Sequence, residues 1–157
     1  MKTLIVYDTR HGCTEKYVQM LTKGLSDTVI EYRIKDKSKI DFDEFDTIIV
    51  GGSIHAGRIQ GSVKRFCDKK RDLLLKKTLG LFICCMEENE KARLQFEENF
   101  PAVLRNHATA SGIFGGELNF DAMNALERYI IKKVAKTDKT VSKISEKFAT
   151  KFVQDLM

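Results

Sequence analysis

The feature that most constrains this chain is a set of short, nearly unbroken apolar runs, each followed by residues at helical spacing. Leu79 to Cys85 reads L-G-L-F-I-C-C, without a charge or an amide side chain. Leu4 to Tyr7 and Thr47 to Val50 are similar, Val29 to Ile34 alternates weakly, and Ala108 to Phe114 is a run rich in small residues. Runs that do not alternate suit strands buried on both faces, the condition of a parallel sheet. Between them, Tyr17, Val18, Leu21 and Leu25 recur at helical spacing, as do Val63, Phe66 and Cys67. Ala92, Phe96 and Val103-Leu104 do so too, interrupted by Pro101. Two more helices are expected, over about 121–135 and 141–156, joined by the polar stretch Lys136-Thr137-Asp138-Lys139-Thr140. The second carries the stripe Val141, Ile144, Phe148, Phe152 and Leu156. Strands alternating with helices predict an α/β fold, a doubly wound sheet with helices on both faces. With 157 residues, one proline and no repeat or linker, the expectation is a single domain over 1–157.

Composition removes several classes. A hydrophobic content of 43% supports a core, and 31% charged residues exclude low-complexity chains. No apolar run approaches the roughly 18 residues needed to span a bilayer. The N-terminus, MKTLIVYDTR, turns polar too early for a secretory segment. Cysteines at 13, 67, 84 and 85 form no C-x-x-C pair, so a zinc ribbon or thioredoxin motif is excluded. Cys84 and Cys85 read as small buried hydrophobes in a reduced, cytoplasmic protein.

In an open parallel sheet, ligands bind beyond the carboxyl ends of the strands. The loop Asp8-Thr9-Arg10-His11-Gly12-Cys13-Thr14 leads from the first strand into the first helix. Unpaired N–H groups at a helix N-terminus carry partial positive charge and can hold a phosphate. The same residues also suit an ordinary capped turn. Other phosphate loops do not fit: there is no G-x-x-x-x-G-K-[ST] and no G-x-G-x-x-G. A cysteine phosphatase loop needs an arginine where Gln19 stands, and a phospho-acceptor domain needs an acid where Gly51-Gly52 stands. A second loop, Gly51-Gly52-Ser53-Ile54-His55-Ala56-Gly57-Arg58, permits close backbone approach to a flat ligand. A third follows Cys84-Cys85 with Met86, Glu87, Glu88 and Asn89. Their convergence suits a mononucleotide with a planar head group.

The first loop, T-R-x-G-x-T, resembles the phosphate loop of flavodoxins, T/S-x-T-G-x-T. Residues 7–14 together with Gly51-Gly52-Ser53-Ile54-His55-Ala56-Gly57 resemble the flavodoxin-domain branch that includes the menaquinone-dependent protoporphyrinogen dehydrogenases. So does the basic segment Leu126 to Lys133. The resemblance covers nearly the whole chain. It implies a five-stranded sheet in the order 2-1-3-4-5 and bound FMN. Thr9, Arg10, His11, Gly12, Cys13 and Thr14 would form the phosphate loop. Ser53, Ile54, His55, Ala56 and Gly57 would border the isoalloxazine ring, with Met86, Glu87 and Asn89 closing its other side. The implied function is electron transfer or an FMN-dependent dehydrogenase reaction of the protoporphyrinogen type. Flavodoxins commonly stack the ring between a tryptophan and a tyrosine. This chain has no tryptophan, and neither ring loop holds an aromatic residue. The alternative function is therefore a flavodoxin-shaped binding or regulatory module that has lost FMN.

Several residues carry two readings. Cys13 sits where a helix dipole lowers a thiol pKa, which suits either a redox-reactive group or a small residue donating its N–H. His55 can stack on or hydrogen-bond a flavin, Asp8 can order the loop N–H groups, and His107 reads as structural. Arg58 and Lys132 are candidates to meet an anionic substrate. Residues 127–151 hold eight cationic and three acidic side chains, an excess equal to the whole chain's net charge of +5. Lys143, Lys147 and Lys151 recur there every four residues. The excess suits a solvated helix face, or attraction to an anionic redox partner, a small-molecule substrate or a membrane surface. No aromatic interleaving supports nucleic-acid binding.

Overall fold

A computed structural model describes residues 1–134 and 140–157. The parallel strands are β1 (Lys2–Tyr7), β2 (Thr28–Arg33), β3 (Thr47–His55), β5 (Thr78–Cys85) and β6 (Ala110–Gly115). They lie in the order β2-β1-β3-β5-β6, the expected 2-1-3-4-5 when only long strands are counted. A two-residue strand, β4 (Arg58–Ile59), turns back antiparallel on the end of β3. β7 (Glu117–Leu118) and β8 (Val141–Ser142) form a separate antiparallel pair.

Period-two alternation divides the sheet between two cores. Leu79, Leu81, Ile83 and Cys85 of β5 join Leu4, Val6, Ile48 and Val50 on one face. Against them pack α2 (Gly61–Lys69), α3 (Arg71–Leu74), α4 (Asn89–Asn99) and α5 (Ala102–His107). Phe82 and Cys84 point the other way, with Ile5, Tyr7 and Ile49, toward α1 (Cys13–Gly24) and α7 (Glu146–Leu156). Pro101 lies between α4 and α5, consistent with its missing N–H. His107 is structural here, its Nε2 2.8 Å from the Lys77 carbonyl.

The structure corrects three expectations. The second loop is largely strand: β3 continues through Gly51-Gly52 to His55. Those glycines serve close packing, since a Cβ at Gly51 would overlap the Phe82 ring and one at Gly52 would lie 2.9 Å from Ile59 Cγ1. The last helix begins at Glu146, capped by the Ser145 hydroxyl, which accepts from the Lys147 N–H. Val141 leaves the stripe for β8 because its strand pairs with β7. The preceding helix, α6 (Ala125–Val134), starts later than 121. Asn124 Oδ1 accepts from the Glu127 N–H at 2.8 Å, and Glu127 Oε1 accepts from the Asn124 N–H at 3.4 Å. This reciprocal cap sets where the helix begins. The linker Lys136-Thr137-Asp138-Lys139 and the end of that expected helix lie outside the described residues.

Candidate functional site

The carboxyl ends of β1, β3 and β5 open on one cleft of about 240 Å³. Its first wall is the loop from β1 to α1. Asp8 Oδ1 accepts from the Thr9 N–H at 2.9 Å, and Ser62 Oγ donates to Oδ2. Arg33 reaches Asp8 through Nε and the Thr9 carbonyl through Nη2 at 3.2 Å. Thr9 Oγ1 accepts from the Gly12 N–H at 3.0 Å, folding the loop over itself. Gly12 takes φ +90°, a left-handed value that suits glycine, and gives α1 no side-chain cap. The first helical bond runs from the Lys16 N–H to the Gly12 carbonyl at 3.2 Å. The N–H groups of Cys13, Thr14 and Glu15 therefore have no main-chain acceptor among the described residues.

Thr14 is fully buried, and its Oγ1 has no hydrogen-bond partner. The Cys84 thiol lies beside it, short of hydrogen-bonding geometry. An unpaired buried hydroxyl is costly. This one stands at a helix N-terminus with three open N–H groups. That arrangement fits an anion with several acceptor oxygens, such as a phosphate monoester.

The second wall is the β3–β4 hairpin. Ala56 and Gly57 both have positive φ, +51° and +77°, which makes the tight hairpin turn. Gln60 braces Ser53 twice, accepting from its N–H at 3.0 Å and donating to its hydroxyl at 2.7 Å. Asn99 of α4 braces the far strand, accepting from the Ile59 N–H and donating to the Gly57 carbonyl, both at 3.0 Å. His55 lies 3.3 Å from Ser53 Oγ, and its ring meets that of His11 edge-on at 5.4 Å. Burial, then the charges of His11 and Arg10, push the His55 pKa down to about 4. Its imidazole is neutral at pH 7.

Not every expected residue faces the cleft. Arg10, His11 and Cys13 line it, as do Ser53 to Ala56 and Met86. Thr9, Gly12, Thr14 and Gly57 shape the two loops from behind. Glu87 and Asn89 border a separate depression with Lys143, whose Nζ holds the Met86 carbonyl at 3.0 Å and Glu88 at 3.1 Å. Arg58 and Lys132 are exposed and do not line the cleft.

The structure adds a wall that sequence reading missed. Gly116 N–H donates to the Cys85 carbonyl at 2.8 Å, and a Cβ there would stand 2.8 Å from the Cys85 carbonyl carbon. From this pinned point, Leu118, Met123, Ile130 and Ile131 face the cleft. They supply apolar surface where the two ring loops have no aromatic residue. Glu127 of α6 crosses to the first loop, 2.9 Å from His11 Nε2 and 3.0 Å from Arg10 Nη2. Burial opposes its ionisation, but the Asn124 N–H, His11 and Arg10 together hold its pKa below the usual value. The glycine pair after the fifth run marked this turn; the helix folding back from it left no local signal.

A family model for the flavodoxin domain matches residues 4–145. No curated protein sequence matches the chain. Among solved structures, a WrbA-like flavodoxin from Agrobacterium tumefaciens superposes with a TM-score of 0.59 at 15% identity, covering 99% of this chain and 96% of that one. Oxidised flavodoxin 1 from Bacillus cereus gives 0.57 at 13% identity, covering 99% and 97%. The flavodiiron protein from Giardia intestinalis gives 0.54 at 13% identity; this chain is covered to 99% but spans only 36% of that protein. At these identities the likeness concerns the fold.

Proposed function

The chain belongs to the flavodoxin domain family, and from that premise we propose that it is an FMN-binding redox protein. The observation that carries this is the orphaned, fully buried Thr14 hydroxyl at the open N-terminus of α1, in the loop whose Arg10, His11 and Cys13 line the apolar cleft. The N–H groups of Cys13, Thr14 and Glu15 and the Thr14 hydroxyl would hold the phosphate. Arg10 would add charge from the rim. Ile54, His55 and Met86 would border the ring on one side, with Leu118, Met123 and Ile130 excluding water on the other. Bound FMN would supply one- and two-electron chemistry. Neutral His55, beside Ser53, can donate or accept a hydrogen bond there without adding charge. The test is the visible spectrum of the purified protein and its titration with FMN. Flavin absorbance, or saturable binding lost in Gly12→Asp, supports the reading. A colourless protein that ignores FMN favours the binding module, for which Glu127 on the phosphate-loop cations would be a permanent contact.

A narrower reading is oxidation of a porphyrinogen with a quinone as acceptor, cytoplasmic and at a membrane surface. The resemblance of residues 7–14 and 51–57 supports it, and so does α6. Leu126, Tyr129, Ile130 and Val134 are exposed there beside Arg128, Lys132 and Lys133. An apolar face flanked by cations suits an anionic lipid surface, where a quinone dissolves. No described helix is long and apolar enough to cross a membrane. Turnover with protoporphyrinogen and menaquinone would support an enzyme. Flavin reduction without porphyrin oxidation would support a carrier that serves an anionic redox partner.

A further inference from the structure

Beyond the carboxyl ends of β1 and β2 lies a second depression, of about 910 Å³. One wall is the single 3-10 turn Ile34–Asp36 that follows β2, and the other is α2. Half-buried Tyr32 and Ile34 and buried Phe66 give it an apolar lining. Lys35 and Lys37 join that lining from the turn, Arg65 and Lys69 from α2, and all four are exposed. The depression and the cleft share no lining residue, but they share supports. Asp8, which accepts from the Thr9 N–H of the first loop, also accepts from Ser62 Oγ of α2 and holds Arg33 of β2. α2 starts directly after Gln60, which braces Ser53 in the cleft's second wall.

The charge in this depression is one-sided. Asp8 is already occupied by Arg33 and Ser62. Asp36 and Asp68, the acids nearest in sequence on the two walls, are exposed and do not line it. Other surface cations find carboxylates, as Lys16 does on Glu117 at 2.9 Å and Arg93 on Glu90 at 2.6 Å. Lys35, Lys37, Arg65 and Lys69 have no such ion pair among the described residues. Arg65 and Lys69 stand four apart on one helix, a spacing at which like charges repel. A Cβ at Gly61 would lie 3.1 Å from Arg65 Nη1, so this guanidinium folds over the first turn of α2, where no acid stands. That turn is the positive end of the helix dipole. Among the described residues nothing offsets this accumulation; an anion from outside would.

We propose that this depression docks the carboxylate-rich face of a small electron-transfer protein. The proposal rests on the FMN redox reading, because a carrier must meet its donor and acceptor beside the cofactor. Two properties favour a protein over a small anion. The cations stand on opposite walls of a space far larger than one phosphate or carboxylate fills, whereas carboxylates spread over a protein surface can meet them together. The apolar lining with Tyr32 beside Arg65 also supplies the kind of centre that interfaces desolvate, with the lysines as a solvated rim. Charges placed in this way chiefly speed encounter, and their effect is lost as salt rises.

The test titrates the nitrogen-15-labelled full chain with an acidic ferredoxin as the probe, at an ionic strength of about 0.01 M and again at about 0.15 M, where the Debye length falls from about 30 to about 8 Å. Amide shifts should cluster on Ile34 to Lys37 and Gly61 to Lys69, and binding should weaken steeply at the higher salt. Arg65→Glu/Lys69→Glu should weaken binding by about tenfold or more. Lys132→Glu/Lys133→Glu makes the same change in net charge on α6 and should bind as the parent does. The spectra of each variant report whether it is folded, and Lys35→Gln/Lys37→Gln on the opposite wall should also weaken binding, by a smaller factor. Absence of shifts at low salt, shifts confined to α6, or equal losses in the two charge-reversed variants would each overturn the proposal. Flavin absorbance is recorded on the same sample. A chain that binds the probe here but ignores FMN would refute the flavin reading and keep the surface; a flavin-loaded chain without shifts here would refute the surface alone.

Discussion

Replacing Thr14 with valine separates two contributions that usually move together. Valine has nearly the volume of threonine and is also branched at Cβ, so packing at this fully buried position is retained. What disappears is a hydroxyl with no hydrogen-bond partner. An unsatisfied buried polar group costs about 1–3 kcal/mol. The cofactor-free protein should therefore become more stable by about that amount. For a domain of this size each kcal/mol moves Tm by about 2–4 °C, so the rise should lie between about 2 and 12 °C. Phosphate binding should change in the opposite sense. A hydrogen bond to a charged group is worth about 1.5–3 kcal/mol, which predicts FMN affinity weaker by about 10- to 150-fold. Urea unfolding of the cofactor-free variant gives the first quantity, and fluorescence titration with FMN the second. A variant that is less stable, or that binds FMN as tightly as the parent, would refute the assignment of this hydroxyl to an anion.

His55 should titrate near pH 4 when followed by NMR. Below its ordinary 6.5 the unfolded chain takes up a proton that the folded chain does not. The stability from neutral His55 is thus complete above pH 6.5 and declines as pH falls toward 4; His55→Gln should lack that component, and an unchanged pH profile would count against burial as the cause. Glu127→Gln removes a carboxylate from beside the phosphate loop, so FMN should bind a few-fold tighter at low salt, with the gain shrinking as salt rises; weaker binding would mean that Glu127 orders the loop. A Cβ at Gly80 would lie 2.7 Å from Phe152 Cζ. Gly80→Ala should cost about 1–3 kcal/mol alone and Phe152→Ala about 3–5 kcal/mol, while the double variant should lose less than their sum by about the first amount; strict additivity in urea unfolding would contradict that contact.

The sheet was legible because its signal is local. Leu79 to Cys85 and Thr47 to Val50 cannot lie at a surface in either orientation, and the helical spacing of Tyr17, Val18 and Leu21 leaves one face to bury. The phosphate-loop candidate was legible for the same reason, being seven consecutive residues at a strand end. Val141 misled because apolar spacing alone cannot say whether its backbone bonds within a helix or to β7. Gly51-Gly52 misled because a glycine permitting a turn and a glycine admitting a neighbour's ring are spelled alike; only the position of Phe82 tells them apart.

By itself, then, the amino-acid order determined which segments become buried strands, which helices flank them, and at which strand end an anion can bind, since each depends on periodicity or on a single turn. Tertiary structure alone decided that α6 forms the missing apolar wall and that Glu127 reaches Arg10 and His11 across more than a hundred residues. These are contacts between segments whose separation in sequence carries no trace of their separation in space. Which residues meet was set by the crossover of β5 beside β3 and the return of the chain after β6.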